Sequence, residues 1–359
     1  MKRRAAKIAN VALRKSSPAS LIHFITNRCN ARCGHCFIDF EDEGSQKERM
    51  RLEDVETLTR SLGPQVMNVN LTGGEPFLSP DITAIAEAYL RNSAIDSVYI
   101  TTHGGLTERI GRFVEAVAPR FPEAKIIVSI SIDHLGERHD RERKVPNLFS
   151  DALASYRLLQ DYGRNVLPNV SITVSQSNCA DVDEVFDGLV SEHGVRSITS
   201  NIVRDEGAYT TPRSSRQQIL DGYRRLNARI QSSRSLVGYD PDTRLGRMMN
   251  RKEAIMVRHI EETWLEPRYV LPCRSGALLG VIHPNGDVFP CEILADRPMG
   301  NLRDHDFDLM RLWASPDAEE VRRWIRATRC NCSFECAWSF NILGSPRYQL
   351  SLVRAAISG

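Results

Sequence analysis

The sequence predicts an α/β protein: an open, partial (β/α)6 TIM-like barrel followed by a small cysteine-rich α+β appendage. Six short segments rich in Ile, Val and Thr alternate with longer helical patterns between Leu21 and Val203. Repeated β–α units favour parallel strands with right-handed crossovers, and six units are too few for a closed eight-stranded barrel. After Asp205 the alternation ends. Most of the cysteines then fall in short segments near the C-terminus.

The predicted elements of the barrel follow one another in strict alternation. The expected strands are Leu21–Thr26, Val66–Leu71, Ser97–Thr102, Lys125–Ile132, Asn169–Ser175 and Arg196–Val203. The expected helices are Leu52–Leu62, Asp81–Arg91, Thr107–Val117, Leu148–Tyr162 and Val182–His193. Ser79 or Asp81 is a suitable N-cap for the second helix, because both side chains accept hydrogen bonds from free backbone N–H groups.

The remainder of the chain has a different pattern. Pro212–Met256 is mostly helical and rich in Arg, and the sequence HPNGD between Gly276–Ile282 and Asp287–Cys291 predicts a β-hairpin, since Asn-Gly tolerates positive φ. The expected segments are a basic N-terminal tail at 1–18, the barrel at 19–210, a helical connection at 211–268, an auxiliary domain at 269–345 and a C-terminal tail at 346–359.

Composition excludes several classes of protein. A mixture of 42% hydrophobic and 26% charged residues is typical of a folded globular chain. The 47 Lys and Arg nearly balance the 45 Asp and Glu, so nucleic acid is not an expected partner. No apolar run approaches the about 20 residues of a membrane helix, and the basic N-terminus lacks the apolar core of a secretory signal. We therefore expect a cytoplasmic protein with reduced thiols.

Nine cysteines in a reducing compartment indicate metal binding rather than disulfides. They fall into two groups with one isolated member. The first group is Cys29, Cys33 and Cys36; the second is Cys273, Cys291, Cys330, Cys332 and Cys336; Cys179 stands alone. Two separate metal centres are therefore predicted.

The first group has the spacing C-x3-C-x2-C on the loop after the first strand. Three thiolates can hold three irons of a [4Fe–4S] cluster and leave the fourth iron open. The alternative is a structural zinc site, which normally has four protein ligands, and only His23 or His35 is near enough in sequence to be the fourth.

The sequence Thr72-Gly73-Gly74-Glu75-Pro76 directly follows the second strand. Glycines allow the backbone to approach a ligand closely, and a carboxylate can accept a hydrogen bond from an amino group. Taken alone, such a sequence is as well explained by a tight corner between a strand and a helix. Its place beside the cysteine loop, at the carboxyl ends of two strands, favours a binding site.

This combination resembles the radical S-adenosylmethionine (SAM) superfamily over Ala19–Gly207. The resemblance implies that the three cysteines hold a [4Fe–4S] cluster, whose open iron binds the amino and carboxylate groups of S-adenosylmethionine. Reductive cleavage of that cofactor would give a 5′-deoxyadenosyl radical that removes a substrate hydrogen, with electrons from a donor such as flavodoxin or ferredoxin. The cofactor-binding positions implied are Gly73, Gly74, Glu75, Pro76, Thr102, His103, Ser131, Asp133, Arg143 and the segment Ile202–Gly207.

The second group, C-x12-G-x4-C followed by C-x-C-x3-C, resembles the SPASM and twitch auxiliary domains of the same superfamily. Five cysteines cannot fill two four-ligand clusters, so one auxiliary [4Fe–4S] cluster is expected. The preferred ligands are Cys273, Cys291, Cys332 and Cys336, and Cys330 either replaces one of them or is free. A zinc knuckle is the alternative, because four thiolates also suit zinc.

Three functions remain open from sequence alone. The first is radical oxidation, or another modification, of a small metabolite or natural-product intermediate, since an auxiliary cluster can accept the electron that oxidation releases. The second is maturation of a ribosomally made peptide by cross-linking or epimerisation; with the cysteine loop starting at Cys29, no fused leader-binding domain is expected. The third is a non-catalytic zinc-binding scaffold.

Two weaker candidates lie after the later strands. Cys179 follows the fifth strand, where a thiol could donate a hydrogen atom to a substrate radical, although lone cysteines are usually small buried hydrophobes. Asp205 and Glu206, after the sixth strand, are candidate bases, with a solvated loop as the alternative.

Overall fold

The computed structural model describes residues 2–40, 49–204, 211–233, 236, 239 and 242–357. Over these residues nine strands form one sheet in the order β6-β5-β4-β3-β2-β1-β7-β8-β9. The strands are β1 Ser20–Thr26, β2 Asn68–Gly73, β3 Ser97–Thr102, β4 Lys125–Ser131, β5 Val166–Val174, β6 Ile198–Ile202, β7 Leu279–Ile282, β8 Asp287–Phe289 and β9 Gly300–Asn301.

Helices connect the strands and continue beyond them. Those of the N-terminal part and the barrel are α1 Lys2–Ala9, α2 Leu52–Ser61, α3 Ile82–Asn92, α4 Thr107–Val117, α5 Gly136–Arg143, α6 Leu148–Tyr162 and α7 Val182–Asp187. Those that follow are α8 Arg216–Ser232, α9 Arg244–Trp264, α10 Leu309–Trp313, α11 Pro316–Ala327, α12 Glu335–Leu343 and α13 Pro346–Ile357.

Strands β1 to β6 pair in sequence order and are all parallel, which confirms the partial (β/α)6 architecture. The predicted hairpin is also present, with Val281 opposite Phe289 in β7 and β8. Its first strand pairs in parallel with β1, placing Leu21 opposite Gly280. The appendage therefore extends the barrel sheet, and its hairpin lies directly beside the strand that leads into the first cysteine loop.

The two faces of the sheet differ in polarity. Alternate residues such as Val98 and Ile100 are buried in the main core. The opposite face carries pairs of hydrogen-bonded polar side chains, joining Thr101 to Asn70 at 3.2 Å and Asn169 to Ser129 at 3.0 Å. The helices cover the apolar face. For example, Ser200 of β6 lies on that face and donates a hydrogen bond to Asn227 of α8. A polar inner face is suited to a ligand rather than to a packed core.

Both ends of the described chain form packed helices, whereas the sequence predicted terminal tails. Lys7 of α1 donates to the Ala94 carbonyl at 2.8 Å and to Asp96 at 2.7 Å. At the other end, Tyr348 of α13 contacts His259 Nε2 of α9 at 2.6 Å, and Leu352 is buried. In the N-terminal segment, Ile8, Val11 and Leu13 are too few to define the apolar face of a helix from sequence.

Helix α5 was not predicted. Its sequence GERHDRER has no apolar periodicity, since seven of its eight residues are polar or charged. Tertiary contacts stabilise it instead, with His139 and Arg143 buried on the side that faces the sheet edge. The helix matters because it positions Arg143 at the candidate site.

Candidate active site

The first cysteine loop lies at the carboxyl edge of β1 and is bonded to the end of β2. The Gly74 N–H donates to the Thr26 carbonyl and the Glu75 N–H to the Arg28 carbonyl, both at 2.8 Å. A Cβ at Gly73, where φ is +136°, would lie 1.9 Å from the Thr26 oxygen, and one at Gly74 would lie 2.3 Å from the Arg28 oxygen. The lack of side chains at these two glycines therefore allows the backbone of the cysteine loop to pack against them. From sequence, the same space was expected to be near a ligand.

Gly74→Ala is expected to displace the cysteine loop and to destabilise the protein by roughly 1–3 kcal/mol, the usual cost of overpacking. The clash is with backbone, which cannot swing aside as a side chain can. Thermal unfolding and cysteine alkylation rates measure the two effects. Gly111→Ala is the matched control, because its nearest neighbour would be a leucine methyl at 3.4 Å. Equal behaviour of the two variants would contradict this account of Gly74.

Glu75 is fully buried, at 0% exposure, and its carboxylate is bonded to the protein itself. It accepts hydrogen bonds from the Thr102 hydroxyl at 2.8 and 2.9 Å, from the His103 N–H at 2.9 Å and from the Phe77 N–H at 3.0 Å. These bonds tie the end of β2 to the end of β3 and use most of the acceptor capacity that a carboxylate has. Glu75 thus acts here as an anchor, and its neighbour Pro76 is also buried.

His103 extends this anchor to the cysteine loop. Its Nε2 contacts the Asn30 Oδ1 at 2.8 Å, and its Nδ1 accepts from the Gly105 N–H at 2.9 Å. Since Nδ1 is the acceptor, Nε2 carries the proton and donates to Asn30. Burial lowers the pKa of His103, which favours this neutral form.

Arg143 and Asp133 form the charged centre of the site. An Arg143 nitrogen lies 2.6 Å from Asp133 Oδ2, and a second one donates to the Cys33 sulfur at 3.7 Å. The Arg143 carbonyl also accepts from the Arg32 N–H at 3.0 Å. Burial alone would raise the pKa of Asp133, but Arg143 and neighbouring histidines hold it below its ordinary value. The pair is therefore charged, and it fixes one side of the cysteine loop.

Sequence reasoning missed the residues that hold Asp133 in place. Asn178 donates to the Asp133 carbonyl at 3.1 Å and to the Thr173 carbonyl at 2.9 Å. The Asp133 N–H donates to His139 Nδ1 at 3.2 Å, and burial lowers the pKa of His139 to about 3, so this nitrogen stays an acceptor. The available signal for Asn178 was its position in SQSN directly after the fifth strand.

The chemistry of the three thiols fits an iron–sulfur cluster. Burial raises the pKa of Cys29 to about 12 and raises the pKa of Cys33 and Cys36. The three residues lie on one loop, where the Cys36 N–H donates to the Cys33 carbonyl at 3.2 Å. Buried thiolates need compensating positive charge, which iron supplies. We propose that Cys29, Cys33 and Cys36 hold the cluster.

Not every expected cofactor residue faces the inner side of the sheet. Ser131 shares the polar face with Ser129, whereas Thr102 points to the opposite face and bonds to Glu75. The Ile202 side chain is 2% exposed and lies on the same side as Ser200, towards α8, and the expected place of this segment near the cofactor stays a prediction. The segment 205–207, with the candidate bases Asp205 and Glu206, lies outside the described residues.

Cys179 lies in the hydrophobic core. Its thiol is 6% exposed, and its Cβ lies 3.0 Å from where a side chain on Gly222 of α8 would begin. The thiol donates weakly to the Gln176 carbonyl at 3.8 Å. This packing against a helix favours a structural role for Cys179, and the hydrogen-donor role stays a prediction.

A second cysteine centre surrounds a cavity of about 290 Å³ in the C-terminal part. Its lining includes Cys273, Cys291, Cys330 and Cys332. Cys336 lies outside this lining, on the first turn of α12, and its place in the preferred set stays a prediction. We propose Cys330 in place of Cys336 as the fourth ligand, because a C-x-C segment in extended chain can turn both sulfurs towards one cavity.

The thiols of this cavity also suit a metal cluster. Cys330 donates to the Cys273 sulfur, which lowers the pKa of Cys273 to about 6 and raises that of Cys330. The contact between the two sulfurs thus favours the thiolate form of Cys273 over that of Cys330. Burial raises the pKa of Cys336 to about 11, an effect partly offset by the nearby Arg204 guanidinium.

Cys330→Ala is expected to lower the iron bound at the second centre, whereas Cys336→Ala should leave that iron in place. The reason is that only the first of these two residues lines the cavity. Iron and sulfide content after anaerobic reconstitution measures the difference. A loss of iron in Cys336→Ala with none in Cys330→Ala would restore the original ligand set.

Zinc and an iron–sulfur cluster require different arrangements of their ligands. Among the described residues, no three His, Cys, Asp or Glu side chains are grouped as ligands of a single metal ion. A structural zinc ion requires such convergence, since its four ligands all lie within about 2.3 Å of it. In an iron–sulfur cubane each thiolate binds a different iron, so the sulfurs surround a larger volume.

The fold and the two cysteine centres define an iron–sulfur protein built on a partial (β/α)6 barrel. The radical SAM superfamily matches residues 24–185, and SPASM, an iron–sulfur cluster-binding domain, matches residues 273–337. These two matches confirm both sequence-based resemblances, a radical SAM domain at residues 24–185 and a C-terminal SPASM domain at residues 273–337. These domains imply a [4Fe–4S] cluster, S-adenosylmethionine and auxiliary iron–sulfur binding as its cofactors.

Similar proteins come from different biosynthetic settings. Fe-coproporphyrin III synthase of Methanosarcina barkeri is 30% identical over 47% of this chain, and the match spans only 40% of that relative. Pre-heme d1 synthase of Dinoroseobacter shibae is 27% identical over 86% of this chain and 76% of its own length. A solved structure of anSMEcpe with bound AdoMet covers 95% of this chain with a TM-score of 0.59 and 17% identity, which shows the fold alone.

No helix among the described residues is both long enough and apolar enough to cross a membrane.

Proposed function

We propose that this chain is a radical SAM enzyme of the oxidoreductase type that modifies a small metabolite or natural-product intermediate. When bound, the cluster and S-adenosylmethionine supply a 5′-deoxyadenosyl radical that removes hydrogen from a substrate. The residues proposed to hold the cluster are Cys29, Cys33 and Cys36. Electrons would come from a donor such as flavodoxin or ferredoxin.

The chain's own residues prepare the edge of the sheet for this chemistry. Arg143 is charged and lies beside Cys33, so it is proposed to bind the cofactor carboxylate or to keep the thiolate ionised. Asp133 keeps Arg143 oriented, and Glu75 fixes the loops after β2 and β3. The polar inner face, which includes Ser131, can bind a polar ligand through hydrogen bonds.

The observation that favours a small substrate is the match to pre-heme d1 synthase along most of both chains, since pre-heme d1 is a small molecule. A second candidate is peptide maturation. It is favoured by the 26% identity over 51% of this chain to the subtilosin biosynthesis protein AlbA of Bacillus subtilis. That match covers only 39% of AlbA, so the first candidate has the broader support.

Deuterium transfer distinguishes the two candidates. The reconstituted protein is incubated with S-adenosylmethionine, a strong reductant and a deuterated cell extract, and 5′-deoxyadenosine is analysed for deuterium. A small substrate predicts deuterium transfer that survives treatment of the extract with protease. Transfer that disappears after this treatment would identify a peptide substrate and contradict the proposal.

A further inference from the structure

One arginine lies between the two cysteine centres. Arg204 follows β6 at the carboxyl edge of the sheet. Its guanidinium carbon is 5.1 Å from the ring centroid of Phe37 and 4.6 Å from that of Phe334. The guanidinium also forms an ion pair with Glu292. One side chain therefore contacts three segments that are far apart in sequence.

Each of these partners is a neighbour of a cysteine. Phe37 directly follows Cys36, the last cysteine of the first loop. Glu292 directly follows Cys291, and Phe334 lies within the last cysteine segment. Arg204 thus joins the first cysteine loop to both parts of the second centre.

The type of side chain suits this role. A guanidinium is planar and delocalised, so it stacks on aromatic rings while it pairs with a carboxylate, and an ammonium group cannot do both with the same geometry. The Glu292 side chain is 8% exposed, so its charge depends on this partner. A second contact supports the same junction: Glu335 of α12 accepts from the Ile202 N–H at 3.1 Å.

We propose that Arg204 is a positioning residue that fixes the first cysteine loop against the second centre and offsets the negative charge of Glu292 beside Cys291. This inference rests on the proposed function, because it requires clusters at both centres. Reduction adds negative charge to a cluster, and a cation that offsets a nearby carboxylate makes that addition more favourable. Arg204 therefore has two separable effects, one from its planar stacking and one from its charge.

Two variants separate these effects in the reconstituted holoenzyme. Arg204→Lys keeps the charge and loses the stacking, so hydrogen–deuterium exchange of residues 28–38 should become faster while the midpoint potential of the second cluster is retained. Arg204→Met loses both, so exchange should become faster and that potential should fall. EPR-monitored redox titration gives the potentials, and Arg204→Lys alone decides the stacking effect if Arg204→Met does not fold.

Arg229→Met is the matched control. Arg229 of α8 lies 4.7 Å from the Phe186 ring centroid and pairs with Asp187, so the same kinds of contact are lost far from both cysteine centres. The control should change neither exchange at residues 28–38 nor the potential. The inference is overturned if Arg204→Met and Arg229→Met behave alike. Failure of the proposed function is recognised separately, as wild-type protein that binds no clusters or does not cleave S-adenosylmethionine.

Discussion

Cys33→Ala is expected to reduce 5′-deoxyadenosine formation from S-adenosylmethionine to the level of a protein-free reaction. Cys33 is the middle thiol of the first loop and the one that accepts a hydrogen bond from Arg143. Without it, two thiolates remain, and two cannot hold a cluster that leaves only one iron open. The measurement is anaerobic turnover with dithionite, followed by quantification of 5′-deoxyadenosine.

The second centre should survive this substitution, since its cysteines surround a separate cavity. Residual iron and visible absorbance in Cys33→Ala test that expectation. Cys179→Ala is the matched control, because it removes a cysteine that lies outside both centres, and it should retain cleavage. Retained cleavage in Cys33→Ala, or equal loss in both variants, would contradict the assignment of the first loop.

Asp133→Asn is expected to destabilise the protein by about 3–5 kcal/mol, because it leaves the buried Arg143 without its counter-charge. A fall in the unfolding temperature on the order of 10 °C is the expected size of this effect. Asp181→Asn is the matched control: the side chain of its partner Arg138 is 48% exposed, so a loss of at most about 1 kcal/mol is expected. Similar losses in the two variants would contradict a charged, buried Asp133–Arg143 pair.

The pH dependence of this effect has a definite sign. The pKa of Asp133 is lower in the folded protein than in the unfolded chain, so its stabilising contribution is complete above the ordinary aspartate pKa of about 3.9. The contribution is lost as the pH falls from there through the folded-state pKa. The difference in unfolding temperature between wild type and Asp133→Asn should therefore be constant near neutral pH and should narrow below about pH 4. A difference that widens in acid would contradict the ion pair.

The six barrel strands and the sheet edge that bears the site were predictable from sequence. Their apolar runs had the right length, and parallel strands bring their carboxyl ends together, so the loops of Cys29 and Gly74 meet as expected. The side to which a residue points was not predictable at the end of β6. The segment ITSNI does not reveal whether Ser200 or Asn201 faces the helices, and the structure places Ser200 and Ile202 on the helix side.

The remaining differences have a common physical cause. Helix α5 is built from charged residues and depends on contacts with Asp133 and the cysteine loop, which no local pattern encodes. The choice between Cys330 and Cys336 depends on how a short segment folds around a cavity, and spacing alone leaves both open. Asn178 and Arg204 likewise act through tertiary contacts between segments far apart in the sequence.

The most direct test of the central claim uses the wild-type protein, reconstituted anaerobically with iron and sulfide. If the first loop binds a cluster with an open iron, the protein should be coloured, should contain iron beyond what the second centre alone can hold, and should convert S-adenosylmethionine into 5′-deoxyadenosine when reduced. A colourless preparation, or a coloured one that leaves S-adenosylmethionine intact under strong reductant, would contradict it.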